Sequence, residues 1–469
     1  MKKNKKEKQT QKRKSVYKTP VLSIRDNIVF TNKGAWAYFK LTDKPYEFLS
    51  VEAKESLAQG TATALSTLVR RADESVDCHL IVVNVPFEAS NWERQMYQAY
   101  NLIEANQRRA QENLSYNILE DREIFDRYIM DTADELYSKG YMKTVTYLGV
   151  KLFIRGSFNF GGNPLEIGLD KALETYKNSL LNLFSTPDER ISKTEEERAR
   201  AMEKNLYQNL HESDLDAMRP TAEELLLTMK RRYYPGMPTP YLEVSHSERV
   251  GLSDIAIETG GEMLVKPRYI EMKQFIDGEV QTGYRSTLTI ASFPKEMHTP
   301  SSILPFFSRP EVMPYTCSAR FILKPAEEMK KERQKKVMDS EDEVKNFESS
   351  GQRVNQEILD TMSDLELMDI ELTERKEPWV VGSYRISVEE NDLELVEKTI
   401  KRIQQNFKQN DIVALQTTGD QLNLFREEQI GGEIEISDFQ QVTNLAILSA
   451  AGINHGGSVG DPIDETMRW

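Results

Sequence analysis

The chain has 469 residues, with 39% hydrophobic and 29% charged residues and a formal net charge of −14. That length exceeds what one core ordinarily supports, so two or three domains are expected. The longest purely apolar runs, such as residues 80–83, fall far short of the roughly 20 residues that cross a bilayer.

Only Cys78 and Cys317 are present, one in each half, which does not make a disulfide framework, and no apolar signal-peptide core follows the basic start. A reducing cytoplasm is the expected setting. The start itself is a block of positive charge: Lys2, Lys3, Lys5, Lys6, Lys8, Lys12, Arg13, Lys14 and Lys18 stand against Glu7 alone, a net +8. So basic a segment, with few apolar residues, is expected to be disordered. Two readings stay open for it. It contacts anionic lipid headgroups or nucleic acid, at about 1 kcal/mol for each cation near the surface, or it is a solvated, solubilising terminus. The strongly acidic remainder argues against a general DNA-binding surface and leaves room for a local tether.

After Pro20 the pattern predicts a hairpin, with strands over residues 28–31 and 35–41 joined by Asn32-Lys33-Gly34. Period-two geometry puts Trp36 and Tyr38 on one face and Phe39 on the other. Ser50 is expected to cap a helix that aligns Leu57, Thr61, Ala64, Leu65 and Leu68. Residues 78–85, almost continuously apolar, read as a central strand closed by Pro86. Two polar helices follow, at about 91–114 and 119–138, then a strand over 144–154 and a further helix through Phe184. The charge-dense stretch 195–200 reads as a solvated helix laced with i,i+4 pairs. Pro235, Pro238 and Pro240 mark a domain boundary near 240.

The second half repeats this grammar of strands and helices, with strands expected at 254–258, 284–291 and 317–323. Residues 325–374 form a long polar segment broken at Ser349-Ser350-Gly351, read as two helices hinged or folded back there. Val337, Val344, Phe347, Val354, Ile358 and Leu365 approximate a heptad seam with a stutter, the mark of packing against a neighbouring helix or a partner subunit. In residues 379–388, Tyr384, Ile386 and Val388 alternate with Ser383, Arg385 and Ser387. Asn391 with Glu394 suggests a capping box. Leu393, Val396, Ile400, Ile403 and Phe407 then line one helix face, and a strand follows over 412–415. This is a β-α-β module with helices on one face of an antiparallel or mixed sheet, an α+β sandwich.

No catalytic constellation emerges. The histidines, His79, His211, His246, His298 and His455, are scattered, and none makes a metal-ligand spacing. Cys78 and His79 are adjacent on a strand and so point to opposite faces. Gly161-Gly162 and Gly431-Gly432 read as turn glycines, Asp214 and Asp216 as solvated acids. None of the 23 glycines is followed by lysine, so the sequence holds no phosphate-binding loop of the G-x-x-x-x-G-K-[ST] type. Catalytic, cofactor-binding and metal-ligating residues are therefore expected to be none.

The order of segments resembles the N-terminal region of the large conjugation ATPase of type IV secretion systems, the Vir/Tra-type motor, in its Gram-positive mobile-element form. The carriers are residues 34–41 (GAWAYFKL), the unit 379–415 followed by 420–425, then Asn444-Leu445-Ala446 and Val459-Gly460-Asp461-Pro462. The resemblance covers nearly all of residues 20–462, through order and spacing more than any single string. In that family the last segment leads into a motor domain that carries the phosphate-binding loop. Here the sequence finishes at Trp469, so no catalytic residue carries over. ATP and Mg are implied only for a motor outside this sequence.

The expectation is thus an α+β chain with a basic tail (1–20), a first α+β domain (21–240), a second (241–440) with a helical hairpin around 325–374, and a linker (441–469) toward a motor. The resemblance implies a non-catalytic docking role in DNA transfer, at the cytoplasmic face of the membrane. Two forms of that role stay open, a truncated motor or one half of a split motor; the implied partners are the secretion channel and coupling subunits, a separate motor chain in the split case, and further copies of itself. The alternative is an accessory protein that holds DNA or anionic membrane through Lys2, Lys3, Lys5, Lys6, Lys8, Lys12, Arg13 and Lys14.

Overall fold

The computed structural model describes residues 20–42, 44–45, 49–72, 74–86, 96–101, 118–139, 142–154, 191–238, 261–276, 278–293, 315–351, 353–374, 377–450 and 455–456. The strands expected at 254–258, the helix through Phe184 and most of the helix at 91–114 lie outside them.

The chain is α+β, built on one large antiparallel sheet. Its strands are β1 (Val21–Arg25), β2 (Ile28–Thr31), β3 (Gly34–Leu41), β5 (Val76–Pro86) and β6 (Met142–Ile154) from the first half. The second half adds β8 (Glu262–Val265), β9 (Ile270–Ile276), β10 (Glu279–Ser292), β11 (Tyr315–Lys324) and β12 (Trp379–Glu390). Their order across the sheet is β1-β2-β3-β6-β5-β11-β12-β10-β9-β8. Read from either edge, this is the same sequence of roles, so the two halves are related by a pseudo-two-fold between β5 and β11. Those two strands pair from Cys317↔Val82 to Leu323↔Val76 and make the sheet continuous across the halves.

The repeat extends to the connections. Short β7 (Ala217–Met218) pairs with the end of β3, and β13 (Val413–Leu415) with the end of β10. Each is preceded by a helix, α3 (Lys193–His211) and α7 (Leu393–Lys408), and each is followed by another, α4 (Ala222–Arg231) and α8 (Gln421–Glu427). The sequence keeps a trace. Gln208-Asn209-Leu210 and Gln405-Asn406-Phe407 end their helices alike, with the amides of Glu212 and Gln409 bonded to the carbonyls of Gln208 and Gln405. Leu215 with Ala217, and Ile412 with Ala414, then bury at matching places.

One sheet face is apolar from β2 to β10. Phe39, Cys78, Leu80, Leu148, Val150, Leu288, Phe321, Tyr384 and Ile386 meet α1 (Val51–Ala72) through Leu65 and Leu68, α3 through Ala199 and Leu210, and α7 through Val396, Ile400, Ile403 and Phe407. The sequence pattern foresaw the stripes of α1 and α7 and the opposed faces of Trp36/Tyr38 and Phe39. Ser50 Oγ accepts from the Ala53 amide at the start of α1 (3.2 Å). The cap of α7 is not Asn391 but Asp392, whose carboxylate accepts from the Glu394 amide (2.7 Å), which leaves no capping box. Nor do helices keep to one face: α4 and α8 pack on the other, where Leu225, Leu226 and Met229 meet Trp36, Tyr38 and Tyr147, and Phe425 meets Tyr233 and Tyr234.

On that second face the arms that follow α4 and α8 are exchanged. Tyr233, Tyr234 and Met237, which follow α4, pack on Ile270, Met272 and Ile276 of the second half. Ile430, which follows α8, packs on Val21, Val29 and Trp36 of the first. The residues before the predicted boundary at 240 therefore belong to the core of the other half. Residues 441–450, predicted as linker, are also built in. β14 (Gln441–Asn444) pairs with β12, and α9 (Leu445–Ala450) buries Leu445 and Leu448 in the apolar core that α1 also enters. His455-Gly456 (β15) then lies parallel to Lys44-Pro45 (β4).

Candidate functional site

Between β11 and β12 runs a helical hairpin, α5 (Ala326–Ser349) and α6 (Gln356–Glu374). The segment expected to hinge or fold back does fold back, at a turn where Gly351 has φ of 70°. An ion pair of Arg333 with Asp369 fixes the antiparallel register, which sets Val337 opposite Leu365 and Val344 opposite Ile358. The heptad-like seam is thus met within the chain. Among the described residues the hairpin is anchored at its base, where Ala326, Met329, Leu365, Met368 and Leu372 cluster with Trp379 and Val381. From residue 330 to residue 364 no described side chain is buried. At 1.5 Å per residue, α5 extends about 24 Å beyond Arg333. Leu359, Leu367 and Ile370 on α6 are 45%, 61% and 53% exposed.

The platform under this projection is held by charge. On the second sheet face, the alternation read at 383–387 puts Ser383, Arg385 and Ser387 inward beside Arg320, Ser318 and Arg285, all fully buried. Glu427 and Glu428 at the end of α8 come down on them. Glu428 accepts from Arg232 (3.2 Å), from Ser387 Oγ (2.8 Å) and from Arg285. Arg285 also meets Glu389 and lies over the Phe425 ring (5.4 Å). Glu427 faces Arg385 Nε (3.2 Å) and accepts the amides of Glu435 and Ile436 (3.3 and 3.2 Å). Toward the first half, Asp77 pairs with Arg320 (3.4 Å) and Lys151 (3.5 Å), and Lys151 with Glu433 (3.0 Å). The cations Lys151, Arg232, Arg285, Arg320 and Arg385 are matched in number by the carboxylates of Asp77, Glu389, Glu427, Glu428 and Glu433.

Burial sets the protonation tendencies here. It pushes Arg232 down to about 10, with the neighbouring Arg285 adding to the effect against the pull of Glu428. Burial also opposes the charge of Arg285, yet Glu428 and Glu389 outweigh it and hold that guanidinium above its ordinary value. Glu427 and Asp77 are raised, by burial first, against the cations beside them. Desolvation lowers His79 well below the usual imidazole range. Its ring bridges Tyr38 Oη (3.1 Å, at Nδ1) and Ser318 Oγ (2.9 Å, at Nε2), a neutral link between the halves. Tyr38 Oη in turn accepts from the Gly431 amide (2.8 Å). Gly431 has φ of 71°, and a Cβ there would lie 2.8 Å from Thr31. Gly431 lies in a turn, as read from the sequence, and its missing side chain also makes room for Thr31.

Glu427 and Glu428 thereby join the end of α8, from which the exchanged arm leaves, to guanidinium groups of the sheet, and removing either carboxylate would strand a buried cation. The signal of this network in the sequence was limited to the Ser-Arg-Ser alternation, since nothing local says what covers it. Cys78 and Cys317 are buried in the apolar core, with Cys78 on the opposite face from His79. The cationic residues 2–18 lie outside the described residues. Among the described residues no helix is long and apolar enough to cross a membrane, and no group of three or more His, Cys, Asp or Glu could hold a metal ion. No protein-family model matches the chain, and no curated protein matches it.

Proposed function

We propose that this chain is the docking and assembly region of a conjugative DNA-transfer ATPase, peripheral at the cytoplasmic face of the membrane. It would couple a motor to the secretion channel and to neighbouring subunits. The observation that carries the reading is the α5–α6 hairpin: an anchored base, a shaft from 330 to 364 with no buried side chain among the described residues, and exposed leucine and isoleucine on α6. Such a projection adds nothing to the core and fits contact with another molecule. The resemblance of segment order supplies the machine; catalysis and nucleotide are assigned to a motor outside this sequence. Replacing residues 334–364 by a short Gly-Ser linker tests it. The variant should melt as the parent does, yet fail to co-purify with channel proteins and fail to support transfer. Normal transfer by that variant, or ATP hydrolysis by the isolated parent chain above background, would overturn the reading.

A further inference from the structure

The stripe that α6 shows to the outside differs chemically from the seam it shows to α5. On a helical wheel Leu365, Met368 and Leu372 form the inner face, and Leu359, Leu367 and Ile370 lie together on the opposite side. The outer stripe is bordered by Asp360, Glu366 and Glu374, and the sequence of α6 contains no Lys or Arg. A helix with two apolar faces is built to pack twice, and α5 satisfies one of them. The acidic border selects among occupants of the other. An anionic bilayer surface would be repelled by it, and pairing with α6 of a second copy would set like charges against each other.

We propose that the outer face of α6 is the docking groove for a basic amphipathic helix of a partner protein, which completes a three-helix bundle with the hairpin. The partner lays an apolar stripe on Leu359, Leu367 and Ile370 and sets Lys or Arg against Asp360, Glu366 and Glu374, the helix-in-groove mode of recognition. The proposal rests on the docking reading and names the chemistry of its partner.

The test uses the full chain and three fluorescent 18-residue peptides: a leucine stripe flanked by lysines, the same stripe flanked by glutamates, and a scramble of the lysine peptide. The lysine-flanked peptide should bind at least tenfold more tightly than either control. The combined Leu359→Ser, Leu367→Ser and Ile370→Ser variant should lose at least tenfold in affinity with unchanged circular dichroism and melting. Equal binding of the scramble or of the glutamate peptide overturns the proposal, as does absence of binding. Self-association in sedimentation that disappears in the triple variant also overturns it, by making a second copy the occupant. If no peptide binds but the hairpin replacement still abolishes transfer, docking stands and this partner chemistry falls.

Discussion

Glu428 is the residue on which the interlocking of the two halves rests most heavily, and Glu428→Gln is the change that measures it. The substitution keeps the shape of the side chain and removes its charge. Arg232 then loses its carboxylate while nearly fully buried, whereas Arg285 retains Glu389. Removing one partner of a buried ion pair typically costs 3–5 kcal/mol, because the remaining charge stays desolvated. With Arg285 partly compensated, the expected loss is about 3–4 kcal/mol. The exposed pair Lys345–Asp342 on the hairpin provides the control: Asp342→Asn should cost less than about 1 kcal/mol. Urea unfolding followed by tryptophan fluorescence and circular dichroism gives both values. Adding Arg232→Met to Glu428→Gln should cost less than the two single changes together, since the stranded cation is gone. A Glu428→Gln protein within 1 kcal/mol of the parent, or additive behaviour in the double variant, would refute the argument that removing this carboxylate strands a buried cation.

Three other expectations follow from the same architecture. His79 is held neutral by burial, so its folded-state affinity for protons is depressed; its contribution is present above about pH 6.5 and is lost as pH falls below that value. Nitrogen chemical shifts should show an unprotonated ring at pH 5.5, and unfolding free energy should fall from pH 7 to 5 less steeply in His79→Gln than in the parent. Because the arms are exchanged, residues 1–240 expressed alone should expose apolar surface and aggregate, and co-expression with 241–469 should restore a soluble complex; a monomeric, cooperatively melting 1–240 fragment would contradict the exchange. If the basic tail is a tether, deleting residues 1–18 should abolish binding to vesicles rich in phosphatidylserine, binding that in the parent weakens steeply between 50 and 200 mM salt, conditions chosen for the assay. Binding that survives the deletion places the contact elsewhere.

The strands and helices of this chain were legible where one periodicity governed. The stripe of Val396, Ile400, Ile403 and Phe407 could be read directly because one face meets the core and the other meets water. The interruption at Ser349-Ser350-Gly351 marked where the two helices hinge or fold back, and strand alternation gave the opposed faces of Cys78 and His79. What escaped was non-local. Ser383, Arg385 and Ser387 have the pattern of a solvated strand face, and only Glu427 and Glu428, some 40 residues on, turn it into an interior. The prolines near 240 are genuine chain breakers, yet Tyr233, Tyr234 and Met237 before and among them pack on the far half, a pairing that no local signal carries. The doubling of the fold was visible only as a repeated grammar, since the trace in residues 208–217 and 405–414 is too sparse to stand without the sheet order.

The most direct test of the docking reading places a photocrosslinking amino acid at Leu367 in cells that carry the transfer element, with Lys398 on the outer face of α7 as the control position. The account predicts a discrete crosslink from position 367 to another protein of the transfer machinery and none from position 398. Crosslinks absent at 367, or equal at both positions, would contradict it.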